Sequence, residues 1–573
     1  MTRYGRKVWS LLEPDPELVK ELEETVGIEP FLGRLLVNRG VSSAEAVERY
    51  LNPKMSDLHD PMLMENMGEA VLRVRQALAS GESIVIFGDD DVDGVTATTV
   101  LYQYLHALGG KVRFFIPRRG IHGHGFNAQA VAAAVAEEET SLFIATDCGL
   151  SGWQEIAQLQ ASGIDTIVID HHALPDTLPE AIVVNPRLPG SRFPFRELAA
   201  VGVAFNFVLA LSRHLAELGL FGQGSGPDLQ AYLDLVALGT VADVVPLVDE
   251  NRLFVRLGLE ILRRRRRCGI AALLADVDVD SQLISERTIC YRLAPRLNAA
   301  GRMGNPNDCV TLLSAERYGL AQELAANLES YNEQRQHAEG SIVEEAMVLA
   351  GEQLAEGKRV LVVAKEGWHQ GVLGIVASRL LERFQRPIVL ISLQNGHGRG
   401  SARSPDGFSI LECLRRSAHL LSDHGGHASA AGLSLKAENL DALRASIEAA
   451  AMALLQGGDV PTVSLLVDSE VRVSDLSARR MRRLESLAPF GAANREPTFM
   501  LRRVRVMRSR MVGRNNVRLR LRGDRAILEV LGFSVGEASF EVGEVLDVVV
   551  TPRVGARGMG GGEFQLLAYE KSR

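Results

Sequence analysis

Ser83-Ile84-Val85-Ile86-Phe87-Gly88-Asp89-Asp90-Asp91-Val92-Asp93-Gly94 is an apolar run that breaks abruptly into carboxylates. Its first half reads as a buried strand, and the acids and glycines after it as the turn into a helix-like stretch, Thr96 to Leu108. The same arrangement recurs downstream. Leu142-Phe143-Ile144-Ala145-Thr146 ends on Asp147, and Thr166-Ile167-Val168-Ile169 ends on Asp170-His171-His172. A further acid, Asp243, lies in Gly239-Thr240-Val241-Ala242-Asp243-Val244-Val245-Pro246 and is read in a similar setting. Carboxylates suit hard divalent cations, and manganese also accepts imidazole, so these segments together offer a metal site.

Working outward, Val112 to Ile116 and Ala181 to Val184 add two more short β-rich runs, with helix-like Gly152 to Ala161 between strands. Strands alternating with helices predict a mostly parallel, doubly wound α/β sheet, in which ligands bind outside the carboxyl ends of the strands. Residues 1–75 read as short helices, 76–310 as the α/β domain carrying the acids, and 311–357 as a long helical connector. A second α/β domain is expected over 358–457, with strands Val360 to Ala364 and Ile388 to Ile391 around a helix, Gly374 to Phe384. In 458–573 alternating strands, among them Val517 to Arg522 and Val545 to Val550, suggest a small β-barrel.

With 573 residues the chain is too long for one core. Cys148, Cys268, Cys290, Cys309 and Cys413 show neither paired nor CxxC spacing, which argues against a disulfide framework or a thiolate zinc site and fits a reducing cytoplasm. No apolar signal core and no long uncharged apolar segment is present, so a cytoplasmic protein without a membrane partner is expected. The net charge of -8 hides an asymmetry: from Arg479 to Arg525 there are 15 arginines against Glu485, Glu496 and Asp524. Such a patch suggests a docking surface for phosphates, the alternative being a solvated cationic sheet. By contrast, Arg263 to Arg267 ends an expected helix, where cations are favoured by the helix dipole.

Two divalent ions held a few ångströms apart clamp a phosphodiester and activate a water for hydrolysis. DHH or DxDG alone is a weak signal; together and in this order with Asp147 and Asp243 they are much stronger. On Gly88 to Gly94, Asp147-Cys148-Gly149, Asp170-His171-His172 and Gly239 to Asp243 the chain resembles the DHH phosphoesterase superfamily, and most closely the RecJ family of single-strand-specific exonucleases. Pro295 to Arg302, Gly367 to Ala377, Gly425-Gly426-His427 and Pro489 to Pro497 extend the resemblance through a DHHA1 domain and into an OB-fold barrel.

That resemblance implies two divalent metal ions, Mn2+ or Mg2+, with Asp91 and Asp147 on one and Asp93, Asp147, His171 and Asp243 on the other. Asp147 would bridge them, Asp89 and Asp170 would support the ligands, and His172 would face the scissile phosphate. Asp90 stands where the family more usually has an aromatic residue. Phe87 stands where small-molecule relatives carry a metal-binding histidine, which implies an open coordination position.

Single-stranded DNA is the implied partner. Ser401 and Arg403 would hold its 5′ end with help from Arg118 or Arg119, Arg302 would touch the strand near the metals, and His427 is a further binding candidate. His369 could equally hold a loop. A single-stranded DNA-binding protein and a RecQ-type helicase are the protein partners the resemblance implies. The expected activity is a metal-dependent 5′ to 3′ exonuclease yielding mononucleotides in recombination and repair. The rival readings are a phosphodiesterase for cyclic dinucleotides or short oligonucleotides, and a noncatalytic DNA-binding scaffold.

Overall fold

The apolar runs that precede the acids are strands buried on both faces, as a sheet with helices on either side requires. A computed structural model of the chain describes residues 8–572 other than 124, 137, 222–225, 276–279, 462–463, 514, 534–538 and 554–562. The basic start, Met1 to Lys7, and Arg514 of the arginine-rich run therefore lie outside the described residues. The fold divides into two units. One comprises Arg39–Glu333 together with Ser486–Arg495; the other comprises the described residues up to Asn38, Gln334–Glu485 and those from Glu496 onward. Where short helices alone were expected at the start, the chain opens on a strand, β1 (Val8–Leu11), before the helices Pro16–Val26 and Pro30–Val37.

In the unit built on 39–333, β2 (Ser83–Gly88), β3 (Lys111–Phe115), β4 (Leu142–Thr146), β5 (Asp165–Ile169) and β6 (Ile182–Val184) form a parallel sheet in the order β3-β2-β4-β5-β6. The winding reverses between β2 and β4, and such a switch point opens a cleft at the carboxyl ends of the two strands. Register then places the acids. Gly88 pairs with Thr146 and Thr146 with Ile169, so Asp89, Asp147 and Asp170 each follow directly on one of three adjacent strand ends at the same level.

Above the sheet runs the helix Val92–Ala107, of whose 16 residues 12 are buried. Small and hydroxylated residues allow that close packing, and the Thr96 and Thr99 hydroxyls are satisfied by the carbonyls of Val92 and Val95. Against it pack the helices Ala200–Glu217 and Leu233–Ala242. The latter corrects one expectation: Asp243 follows a helix, not a strand. Buried on nearly every side and rich in Val, Thr and Leu, that segment has no polar face from which a helical period could be read.

A single helix, Tyr318–Ala355, occupies most of the expected connector. In the second unit β7 (Leu361–Glu366), β8 (Ile388–Gln394), β9 (His397–Arg403), β10 (Asp423–Gly426) and β11 (Ala430–Lys436) form a mixed sheet ordered β10-β11-β9-β8-β7. Asn395 and Gly396, both at positive φ, turn β8 into β9. β12 (Ser464–Val467) pairs in parallel with β1, and β13 (Ser469–Glu470) leads toward the barrel. β14 (Phe499–Val512), β15 (Asn516–Arg522), β16 (Ile527–Gly532), β17 (Val545–Pro552) and β18 (Phe564–Lys571) follow the order β14-β15-β16-β18-β17, and pairing of β14 with β17 closes them into a five-stranded barrel. Phe499, Phe540 and Phe564 are buried in its core, while Phe533 and Tyr569 are half-buried. Pro489 to Pro497, read from sequence as introducing the barrel, is divided: residues up to Arg495 pack with the unit that carries the acids, and Glu496 onward with the barrel's unit.

Candidate functional site

Main-chain donors fix three acids of the cluster, Asp91, Asp93 and Asp170, while a buried oxygen of Asp89 and one of Asp147 are left without a partner. Asp91 caps the helix Val92–Ala107, accepting the Gly94 amide at 3.0 Å. Asp93 accepts the Ala200 and Val201 amides at 2.7 and 2.9 Å, at the start of the helix Ala200–Glu217. Asp147 sits at φ 61°, in a region costly for a non-glycine residue, and Gly149 at φ 103° completes the turn. Asp170 Oδ1 accepts the amides of His171 and His172 at 2.7 and 3.0 Å and bonds His172 Nδ1 at 2.8 Å. His171 Nε2 converges on Asp147 Oδ1 at 3.4 Å, Asp243 Oδ2 at 3.7 Å and Asp93 Oδ2 at 3.9 Å.

Three overlapping groups each bring their ligand atoms within 4.8 Å of one another: Asp89, Asp91 and Asp147; Asp93, His171 and Asp243; and Asp147, Asp170, His171 and His172. The donor set fits divalent cations. Buried Asp89 Oδ1, Asp147 Oδ1 and His171 Nε2 have no hydrogen-bond partner, although orphaned polar atoms are costly in an interior. Electrostatics point the same way. Burial and then the charges of Asp91 and Asp90 push Asp89 up to about 8, and burial and then Asp91 push Asp243 up to about 7. Burial followed by neighbouring carboxylates also raises Asp93 and Asp147. Burial lowers His171 to about 4, leaving it neutral as a metal ligand must be. The Asp170 hydrogen bond raises half-exposed His172 to about 9, so it is a cation at neutral pH. Asp170 itself, despite burial, is lowered by that same bond and by the His172 charge.

Several supports escaped the sequence reading. Arg187 Nε donates to the His171 carbonyl at 3.0 Å and Asn185 Nδ2 to that of His172 at 3.1 Å, fixing the histidine pair from behind. Asn298 Oδ1 accepts the Val92 amide at 3.1 Å. Arg187 and Asn298 stand at no strand end, and Asn185, although it directly follows β6, is neither a carboxylate nor an imidazole, so residue type gave no metal signal there. Phe87 packs with Phe115, Phe126 and Phe143 and supplies no ligand atom. The unusual Asp90 has a partner: Arg119 Nη2 donates to its Oδ1 at 2.7 Å and Nε to its other oxygen. Arg119, expected on DNA, thus gives its guanidinium to the first motif. Gly301 has no Cβ because one would lie 2.5 Å from the Asp90 carbonyl.

Arg118 is exposed and bonds Asn305 Oδ1 through Nε at 2.9 Å, and Arg302 lies near the end of the helix Ala294–Met303. In the second unit Ser401 and Arg403 lie on strand β9 and not in a loop. Burial lowers Arg403, whose Nη1 donates to Ser401 Oγ at 3.1 Å and to the Ala402 carbonyl at 2.8 Å. A Cβ on Gly374, at the start of the helix Leu373–Phe384, would come within 2.9 Å of the guanidinium. His427 is exposed where β10 turns into β11, and Gly426, at φ 132°, has the Ala430 carbonyl 2.5 Å from where a Cβ would stand, so that glycine serves the turn. His369 is exposed before the helical turn Gln370–Val372. On the barrel, Arg505, Arg508 and Arg510 of β14 lie directly opposite Arg522, Arg520 and Arg518 of β15, all six exposed. Like charges directly opposite destabilise a sheet, and here Glu529 opposite Arg520 and Glu563 at 3.2 Å from Arg518 offset part of that repulsion.

A family model described as DHH family, N-terminal domain, matches residues 83–240, a DHHA1 domain model 357–453 and a RecJ OB domain model 467–563. The single-stranded-DNA-specific exonuclease RecJ of Dickeya dadantii is 36% identical, with 90% of this chain and 91% of that protein covered. The protein of the same name from Bacillus subtilis is 39% identical over 92% of this chain, which spans 66% of that longer relative. The crystal structure of RecJ in complex with Mn2+ from Thermus thermophilus superposes with a TM-score of 0.85 at 28% identity, over 99% of this chain and 80% of that one. Sheet, cluster and appended domains define a phosphoesterase of the DHH class. Within that class the chain belongs to the RecJ family.

Metal removal should expose the strain in the cluster. For a raised carboxyl the stabilising contribution is complete below the unfolded value of 3.8 and is lost as pH rises through the folded value, about 8 for Asp89 and about 7 for Asp243. The chelated protein should therefore lose thermal stability progressively from about pH 4 and level off above about pH 8, and Mn2+ should raise the melting temperature more at the upper end of that window. Calorimetric scans with chelator and with Mn2+ check this; a pH-independent Mn2+ effect would contradict it.

Proposed function

We propose that this chain is a metal-dependent exonuclease that hydrolyses single-stranded DNA from its 5′ end to mononucleotides in recombination and repair. The observation that carries the reading is the convergence of three ligand groups on shared Asp147 and His171 at the switch point of the sheet. Asp91 and Asp147, supported by Asp89, hold one divalent ion, and Asp93, Asp147, His171 and Asp243 the other, Mn2+ or Mg2+. When bound, the ions polarise a phosphodiester and activate a water. The protein's own groups do the rest. Arg187 and Asn185 keep the histidine pair in place, Asp170 holds His172 protonated, and His172 presents its positive ring to the charge developing on the phosphate.

Ser401 and Arg403 suit a terminal phosphate: the guanidinium is desolvated and finds only hydroxyl and carbonyl oxygens nearby in its hydrogen bonds. Arg118, Arg302 and His427 are further backbone contacts, while Arg119 braces Asp90. The opposed arginines of β14 and β15 suit a phosphate backbone tracked without sequence choice. A single-stranded DNA-binding protein and a RecQ-type helicase are its partners in this reading, and the cytoplasm its location. Among the described residues no helix is long and apolar enough to cross a membrane.

Long single strands labelled at the 5′ or the 3′ end, with duplex and cyclic dinucleotide controls, test the reading in Mn2+, Mg2+ and chelator. Immediate release of labelled mononucleotide from the 5′-labelled strand alone is expected; first release from the 3′ end, or turnover only of the dinucleotide, would overturn it. Asp147→Asn should cost more than the ~10–100-fold typical of losing an outer support of a metal ligand, because both ions lose a contact. Near-normal turnover would refute the shared role. Arg520→Gln should weaken binding and flatten the plot of log affinity against log salt by about 0.7, the contribution of one phosphate contact on a single strand. An unchanged slope would remove the arginine ladder from the DNA path.

A further inference from the structure

The segment Ser486–Arg495 packs within the unit that bears the acids, although it is separated from the rest of that unit by more than a hundred residues of chain. Its anchor is Arg252, on the helix Asp249–Arg263 and 3% exposed. All five guanidinium N–H positions are used on carbonyls: Nε on Tyr50 at 2.9 Å, Nη1 on Leu487 and Pro489 at 3.1 and 3.4 Å, and Nη2 on Ala488 and Ser486 at 3.0 and 3.4 Å. The Tyr50 ring covers the cation at 3.6 Å. From within the segment, buried Asn494 donates to the carbonyls of Leu487 and Pro489 at 3.0 and 2.7 Å and accepts from the Tyr50 hydroxyl at 2.8 Å.

What this arrangement holds is the Ala492 carbonyl, which accepts the Leu247 amide at 2.8 Å. Gly491 permits the approach, since a Cβ there would lie 2.7 Å from Leu247 Cδ1. Leu247 ends the loop that begins at Asp243. Within that loop Val244 stands at φ 62°, a conformation β-branched residues avoid and one that persists only when the surroundings over-determine it. Asn251 Nδ2 adds a bond to the Pro246 carbonyl at 3.0 Å.

We infer that residues 486–495 brace the loop that presents Asp243 to the metal cluster, and that Arg252 is the positioning residue that seats the brace. The inference rests on Asp243 being a metal ligand. The brace lies next in the chain to the barrel, since β14 begins four residues after Arg495. The carboxyl-terminal part of the protein thereby contributes to metal binding as well as to holding DNA.

The test uses the full chain, with Mn2+ affinity read directly by calorimetry and single-stranded DNA affinity read in chelator. Arg252→Met and Gly491→Val should each weaken Mn2+ binding by ~10–100-fold, the range for loss of an outer support of a metal ligand, and leave DNA affinity unchanged. Arg252→Lys should recover part of the loss. Arg267→Met, which removes another buried arginine of this unit from its partner Asp234, should lower the melting temperature with wild-type Mn2+ affinity. Wild-type Mn2+ affinity in folded Arg252→Met and Gly491→Val would overturn the inference, as would an equal loss in Arg267→Met. Should Arg252→Met not fold, Gly491→Val decides. Asp243→Asn separates the two levels: Mn2+ binding lost there but kept in the brace variants removes the brace alone, whereas binding kept in Asp243→Asn removes the ligand assignment beneath it.

Discussion

Mutual repulsion among buried carboxylates is the constraint on which this molecule depends. Asp89, Asp93, Asp147 and Asp243 share a cleft in which burial and like charge both oppose ionisation. Some of that cost is offset locally. Asp93 is met by two amides at a helix start, Asp170 by His172, and Asp90 by Arg119. Without metal the raised carboxyls relieve the remaining repulsion by holding protons, while the sheet register, the left-handed Asp147 and the Arg187 contact keep the ligand atoms close together, where divalent cations would displace those protons.

The second unit carries the opposite imbalance. Six arginines face one another across β14 and β15, and Arg403 is desolvated beside a hydroxyl and a carbonyl. Acids answer only part of it: Glu529 lies opposite Arg520 on β16 and Glu563 pairs with Arg518 at 3.2 Å, as Glu470 and Asp547 pair with Arg502. One polyanion together with divalent counterions relieves both imbalances, the anion answering the arginines and the cations the acids. That is the physical sense in which a nuclease domain and a basic barrel belong on one chain.

The strand ends were legible because an apolar run of five or six residues broken by carboxylates has few other meanings, and the barrel because its alternation has period two. Asp243 was placed on the wrong kind of element because a helix buried all round loses its amphipathic signature. Asp90 was noticed as a departure, yet its partner Arg119 is 29 residues away and no local pattern connects them. Likewise Pro489 to Pro497 was read by position as introducing the barrel, while the bonds of Arg252 to the Pro489 carbonyl, of Tyr50 to Asn494 and of Leu247 to the Ala492 carbonyl pack residues up to Arg495 with the other unit.

Legible in the sequence alone were the carboxylates and imidazoles gathered at strand ends, the doubly wound sheet that collects them, and the concentration of positive charge near the carboxyl end. Those are properties of residue type and period, and period is local. Only tertiary structure decided which oxygens remain without partners, which arginine is tied to an acid and which is left for an anion, and which distant segment steadies the loop of Asp243. Each of these depends on distances between residues far apart in the chain, and burial converts those distances into charge states.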